Sequence, residues 1–175
     1  FEEAEWELNM QTDWKTGKYA LSTPCGHVAA RIPQRTILCV RDGIRWEKPN
    51  IITVAWAGTV CTNPPMVSIS VRPERYSYHL IEESGEFVIN LQPKTGESYG
   101  LRGVRSGRDV DKFKEMHLTP LASKHIHAPG IVESPVNIEC KVREIKPLGS
   151  HSMILADVVG VTIDDTLLVK KENLN

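Results

Sequence analysis

The chain has 175 residues, 41% of them apolar, which suffices for one substantial hydrophobic core and is short for two. A formal net charge of -1 and a sequence pI near 6.7 exclude any global attraction to nucleic acid or to an anionic membrane surface, so an anion must be held by a local arrangement. No apolar run approaches the roughly 20 residues that cross a bilayer, and the opening F-E-E-A-E-W-E is acidic where a signal peptide is basic, so a soluble cytoplasmic protein with no membrane or nucleic-acid partner is expected.

Residues 1–23 are polar and irregular and read as an N-terminal extension to one domain at 24–170, with 171–175 as the C-terminal end. Between His27 and Arg41 the stretches H-V-A-A-R-I and T-I-L-C-V-R, broken by Pro33 and followed by the turn dipeptide Asp42-Gly43, read as the first strands. From Asn50 a longer strand is expected, with Ile52, Val54 and Trp56 on one face and Ile51, Thr53, Ala55 and Ala57 on the other. After Pro64-Pro65, Val67, Ile69 and Val71 face one way, and Met66, Ser68, Ser70 and Arg72 the other. Pro73 lacks the N–H that pairing needs, and E-R-Y-S-Y-H-L-I-E-E-S-G predicts a short helix closed by Gly85. Phe87, Ile89 and Leu91 open another strand.

The segment from Asp109 to Met116 predicts a second helix, with acids in its first turn and Ser106 or Asp109 as its cap. V-N-I-E-C-K-V-R-E-I and M-I-L-A-D-V-V-G-V-T-I alternate as strands, separated by Pro147 and Gly149. Many short strands with two inserted helices indicate a mainly β, barrel-like domain.

Arg72, Arg75, Tyr76 and Ser77 are grouped where a strand hands over to a helix. Two guanidiniums, a hydroxyl and the free N–H groups of a helix start suit a phosphate monoester, because local field and donors point the same way. The plainer alternative is solvated arginines paired with Glu74, Glu82 or Glu83. Thr53 to Thr59 supplies small residues, Trp56, and Gly58 for close backbone approach, the surface that a flat heteroaromatic ring needs. Trp56 considered alone is more often a core residue than a ring contact. Cys25, Cys39, Cys61 and Cys140 form no C-x-x-C pair, which disfavours zinc and dithiol chemistry; Cys61, beside the Thr62-Asn63-Pro64-Pro65 turn, is the best functional candidate. His125 and His127 share a face if extended but lack a third ligand, so no metal is assigned.

The ordered set N-x-x-T-V-A-W-A-G, N-P-P-x-V-S-I-S-V-R-P-x-R-Y-S-Y, G-E-F-V-I-N-L, S-G-R-D-V-D-K-F, E-S-P-V-N-I-E-C and L-G-S-H resembles the flavin reductase-like, FMN-binding split-barrel family, especially its flavoredoxin branch. The similarity covers roughly residues 24 to 163. It implies a Greek-key-type split β-barrel, a homodimer, holding FMN noncovalently near the subunit interface.

In the resemblance, Asn50, Thr53, Val54, Ala55, Trp56, Gly58 and Thr59 lie along the flavin ring and ribityl chain, and Arg72, Arg75, Tyr76 and Ser77 at the phosphate. Ser106, Gly107, Asp111 and Lys112 lie near the cofactor; their plainer alternative is a capped surface helix with an Asp111–Lys112 charge pair. His151 falls where relatives carry a histidine beside the nicotinamide or substrate, so a proton-handling or donor-orienting role is expected of it. The chain departs from the family in ending L-L-V-K-K-E-N-L-N, without an aromatic, glycine-bearing tail. No G-x-G-x-x-G is present, so a nicotinamide donor has to stack in an open site over the flavin. The implied activity is that of an FMN-dependent oxidoreductase, a flavin reductase using NAD(P)H or a flavoredoxin fed by a redox protein. The alternatives are a noncatalytic flavin-binding, redox-sensing module and a cofactor-free β-barrel interaction protein.

Overall fold

The computed structural model describes residues 11–13, 18–21, 36–41, 48–91 and 107–165, with side chains in the last three stretches. The strands are β1 (Gln11–Asp13), β2 (Lys18–Leu21), β3 (Thr36–Arg41), β4 (Pro49–Val54), β5 (Ala57–Thr62), β6 (Pro65–Val71) and β7 (Glu86–Leu91). After them come β8 (Pro120–Leu121), β9 (Gly130–Ile131), β10 (Val136–Pro147) and β11 (Ser152–Asp164). Helix α1 is Tyr76–Ser84, and α2 is the single turn Lys112–Glu115.

The main sheet runs β1-β2-β11-β10-β7-β3-β4, and the β5–β6 hairpin joins it through β11. Strand β11 makes this fork possible because it is long. One edge pairs with β10 along its length, while the other pairs with β6 over Ser152–Asp157 and with β2 over Val161–Asp164. Bulges at Glu139/Cys140 and Val142/Glu144 in the β10–β11 ladder increase the local twist that a curled sheet requires.

Alternation along β6 sends Val67, Ile69 and Val71 into one core with Leu38, Phe87, Ile138 and Ile154, closed by Leu80 and Ile81 of α1. The opposite face of β3, β4 and β7 presents Ile37, Cys39, Ile51 and Val88 to a second core, covered by Phe113 of α2 and by Leu118, Ile126 and Ile131. Those central strands are buried on both faces, which is why T-I-L-C-V shows no polar alternation. Helix α1 ends at Gly85, whose φ of 67° is the left-handed conformation of a C-cap, with its N–H on the Ile81 carbonyl.

Several expectations change. Part of the N-terminal stretch is ordered as the β1–β2 hairpin, and β2 is a member of the main sheet. The strand expected from Asn50 through Ala57 ends at Val54, with a bend at Ala55-Trp56 before β5. Trp56 therefore leaves the face of Val54 and is 59% exposed, whereas Val54 is core. The second helix is only Lys112–Glu115, and its cap is Asp111, whose carboxylate accepts the Lys114 N–H at 3.2 Å, in place of Ser106 or Asp109. H-V-A-A-R-I, Asp42-Gly43, Cys25 and Ser106 lie outside the described residues.

The polar face at the start of β10 is also buried. Asn137 and Glu139 sit beneath residues 119–134: Asn137 accepts the Ile131 N–H at 2.8 Å, and Glu139 accepts the N–H groups of Lys124 and His125, each at 2.9 Å. Asn90, fully buried on β7, donates to the carbonyls of Ile37 and Val88 and accepts from Ile131 N. These amides and the carboxylate satisfy backbone groups that short strands leave unpaired.

Candidate functional site

The exit of β6 organises the site. At Val71 the strand ends, and Arg72-Pro73-Glu74-Arg75 folds into a tight turn in which Arg75 N–H donates to the Arg72 carbonyl at 3.0 Å. Proline at the second position of such a turn has its φ already set. Helix α1 starts immediately afterwards, with Arg75 as N-cap, no side-chain cap bond and no acid in the first turn. The positive end of its dipole is thus flanked by exposed arginines, the arrangement that attracts an anion.

Three further segments converge on this helix start. From β4, Asn50 donates through Nδ2 to Ser77 Oγ at 2.8 Å, with both residues buried. Gly107 packs directly on the Asn50 carboxamide, and a Cβ at that position would overlap Oδ1, Cγ and Nδ2. Arg108 places its guanidinium 5.7 Å from the Tyr76 ring centroid, within cation–π range. Lys112 donates from Nζ to the Ile51 carbonyl at 2.7 Å. Burial lowers the Lys112 pKa first, and the nearby Arg75 charge lowers it further, against an opposing pull from Glu115. A half-buried ammonium beside a guanidinium is a place where a bound anion would relieve like-charge repulsion.

A second group gathers at the same strand end. Ser70 N–H donates to the Trp56 carbonyl at 2.9 Å, and Val71 pairs with Ser152, next to His151. The Trp56 and His151 rings meet with centroids 4.4 Å apart at 56°. Ser150 Oγ lies 3.0 Å from His151 Nδ1, and Leu148 N–H closes the turn onto the His151 carbonyl. The cationic turn and the aromatic pair are therefore both fixed by the last residues of β6.

Several predicted residues occupy different roles in this geometry. Asn50 and Ser77 hold each other, so they shape the floor of the site. The Val54 side chain lies in the core, and Thr53 and Ala55 are exposed at the bend. Beside Gly58 the space is open, since a Cβ there would meet nothing within 4 Å. Asp111 caps α2 and lies 3.7 Å from Lys114, so the expected Asp111–Lys112 pair gives way to Asp111–Lys114 and Lys112–Ile51. Arg72 and Arg75 are exposed, and Thr59 is half-buried on β5. Arg108 and Ser150 are inconspicuous in the sequence, although each lies within a motif of the family. Their significance depends on Tyr76 and His151, the neighbours that folding supplies.

Histidines 125 and 127 face separate carboxylates, Glu139 at 3.0 Å and Glu86 at 3.5 Å, and so do not form a pair aimed at one point. Cys39 and Cys140 are buried with their thiol pKa pushed up by desolvation, aided at Cys140 by Glu139, which makes them poor nucleophiles. No helix among the described residues is long and apolar enough to cross a membrane.

Residues 31–174 match the model of the flavin reductase like domain. An uncharacterised protein of Archaeoglobus fulgidus is 31% identical over 144 residues, covering 82% of this chain and 80% of that protein. The structure of the flavoredoxin of Desulfovibrio vulgaris (Miyazaki F) superposes with a TM-score of 0.70 at 29% identity, over 79% of this chain and 73% of the other. Component B of the nitrilotriacetate monooxygenase of Bacillus cereus shares the fold, with a TM-score of 0.69 at 21% identity over 83% and 77% of the two chains. This chain belongs to the flavin reductase-like family, and its mainly β architecture is the split barrel of that family.

Proposed function

We propose that the chain binds FMN noncovalently at the exit of β6 and works as an FMN-dependent oxidoreductase, a flavin reductase or flavoredoxin-type carrier reduced by NAD(P)H or by a protein donor. The observation that carries this reading is that one strand end holds two different surfaces. Arg72, Arg75 and Lys112 gather about the start of α1, while the Trp56 and His151 rings meet at a tilt beside the same strand end. An elongated ligand with a dianionic end and a flat end matches that pair of surfaces.

The residues present fit FMN. Arg75, Arg72 and Lys112 supply charge to the phosphate, and the positive end of α1, which has no side-chain cap bond, adds to their field. The Asn50–Ser77 link, with Gly107 against it, holds β4 at the helix start, so backbone from Thr53 to Thr59 can follow the ribityl chain and ring edge. Bound flavin supplies reversible electron and hydride chemistry, for which the protein provides position, access and field. His151 offers a hydrogen-bonding imidazole beside the ring end. Pairing of two copies, as the family resemblance implies, is part of the same proposal.

The test is reconstitution. Purified protein is titrated with FMN, then mixed anaerobically with NADH and NADPH in turn while the flavin absorbance is followed. Saturable binding at micromolar FMN with bleaching by a nicotinamide is the expected result, and Arg75→Ala should weaken binding by about 1–3 kcal/mol. No FMN binding at micromolar concentration overturns the proposal; binding with no bleaching by either nicotinamide but bleaching by a reduced protein assigns the carrier role.

A further inference from the structure

Residues 119–134 cross the second core without joining the sheet beneath them. Strands β8 and β9 pair with each other and, among the described residues, with no strand of the main sheet. The segment closes on itself, with Val132 N–H on the Thr119 carbonyl at 3.0 Å and Thr119 N–H on the Glu133 carboxylate. Four buried side chains of β7 and β10 fasten it. Asn90 and Asn137 share the Ile131 N–H, Glu139 takes the N–H groups of Lys124 and His125, and Glu86 takes those of His127 at 2.8 Å and Ala128 at 3.3 Å. The fit is close: a Cβ on Gly130 would meet Asn137 Oδ1 at 2.5 Å, and one on Gly160 would meet the His125 ring. Ile126, Ala128 and Ile131 pack beneath, with Phe113 and Leu118, against Ile37, Cys39, Ile51 and Val88.

A segment held in this way has a different energy balance from a paired strand. Lifting it would expose apolar surface, which opposes the motion, but would return two carboxylates and two amides to water, which favours it. A strand inside a ladder has no such compensation and opens only with its neighbours. The upstream end of the segment enters the candidate site. Leu118 N–H donates to the Phe113 carbonyl at 2.9 Å, which ties the segment to α2. Phe113 is preceded directly by Lys112, whose Nζ donates to the carbonyl of Ile51, a residue whose side chain belongs to the second core.

We infer that residues 112–134 form one strap, and that its closure over the second core is linked to anion occupancy at the start of α1 through the adjacent residues Lys112 and Phe113. The inference rests on the flavin-binding reading above and adds a conformational equilibrium to it. With the strap closed, Phe113 is seated and Lys112 is held on Ile51, its charge near that of Arg75. With the strap open, the ammonium is released to solvent. A phosphate that binds the closed form better draws the strap shut, and by reciprocity a loosened strap lowers the affinity for the ligand by the same factor.

Native-state hydrogen exchange tests it. In flavin-free protein the amides of Lys124, His125, His127 and Ile131 should show one common protection, lower than that of the β10–β11 ladder. FMN at about ten times its dissociation constant should slow all four about tenfold. In Lys112→Met brought to the same saturation, the slowing should shrink to less than about threefold. Glu139→Gln should raise the FMN dissociation constant by the reciprocal of the closed fraction that exchange reports for that variant. Four amides that exchange independently of one another, or only together with the β10–β11 ladder, overturn the strap. Exchange that is unchanged with FMN bound overturns the linkage, and so does equal slowing in Lys112→Met. Failure to bind FMN overturns the functional proposal and the linkage with it, and the flavin-free exchange pattern then judges the strap by itself.

Discussion

Replacing Gly107 with alanine tests whether the Asn50–Ser77 link organises the site. A methyl group at residue 107 would fall on the Asn50 carboxamide, with Nδ2 only 2.6 Å away, and the residue has no left-handed φ, so the cost arises from space alone. Asn50 lies within the β3–β4 ladder, opposite Val40, and its backbone cannot yield readily. The carboxamide must therefore turn away from Ser77. Losing the 2.8 Å hydrogen bond costs about 0.5–1.5 kcal/mol, and leaving a buried amide or hydroxyl without a partner costs about 1–3 kcal/mol more. A total of about 1.5–4.5 kcal/mol follows, or a shift of about 0.8–2.2 M in the urea midpoint for an m-value of about 2 kcal/mol/M. In an Asn50→Ala background the obstacle and its partner are both absent, and Gly107→Ala should cost less than about 0.5 kcal/mol. Equilibrium urea titrations of the two single variants and the double variant give the coupling. Additive effects, within about 0.5 kcal/mol, would refute the argument. FMN titrations of the same proteins should show Gly107→Ala weakening binding.

Three other perturbations have definite directions. The Lys112 pKa lies below the ordinary 10.5, so between its folded and unfolded values the native chain binds fewer protons and flavin-free stability rises with pH; over the same window FMN affinity should fall as the ammonium is lost. Differences between unsubstituted protein and Lys112→Met, measured by urea titration and FMN titration across alkaline pH, isolate both trends, and curves that stay parallel contradict them. Glu139→Gln leaves one oxygen for the N–H groups of Lys124 and His125, now met by two oxygens at 2.9 Å, and turns an NH2 toward the other N–H. A loss of about 2–4 kcal/mol is expected in a denaturant titration, with protease cutting in residues 119–134 as a second readout; a loss below about 1 kcal/mol is incompatible with a buried clamp. Gly85→Ala meets no neighbour within 4 Å, so only the φ of 67° opposes it, and the melting curve should report about 1 kcal/mol.

Much of the framework was legible in the chain. Period-two alternation placed Val67, Ile69 and Val71 inward, and Pro73 and Gly85 bracketed α1 by local chemistry. The bend at Trp56 was not legible, because T-V-A-W-A continues a strand pattern and only the pairing of Trp56 O with Ser70 N shows where the chain turns. The span of α2 is not legible in the chain for a related reason. Asp109, Asp111 and Ser106 are all competent caps, and the burial of Phe113 against β4 decides which register is used.

The sequence by itself determined the element types, the fold class and the presence of arginines, lysine, tryptophan and histidine in motifs of the flavin reductase-like kind. These follow from periodicity, turn chemistry and residue identity, which act over a few neighbours. Tertiary structure decided which of those residues meet. Asn50 reaches Ser77, Gly107 makes room for Asn50, Lys112 takes the Ile51 carbonyl and Trp56 meets His151. Each contact joins segments brought together by the forked pairing of β11 or the two-sided burial of β3, β4 and β7. Such contacts depend on long-range closure of the sheet, for which no local pattern in the chain carries a signal.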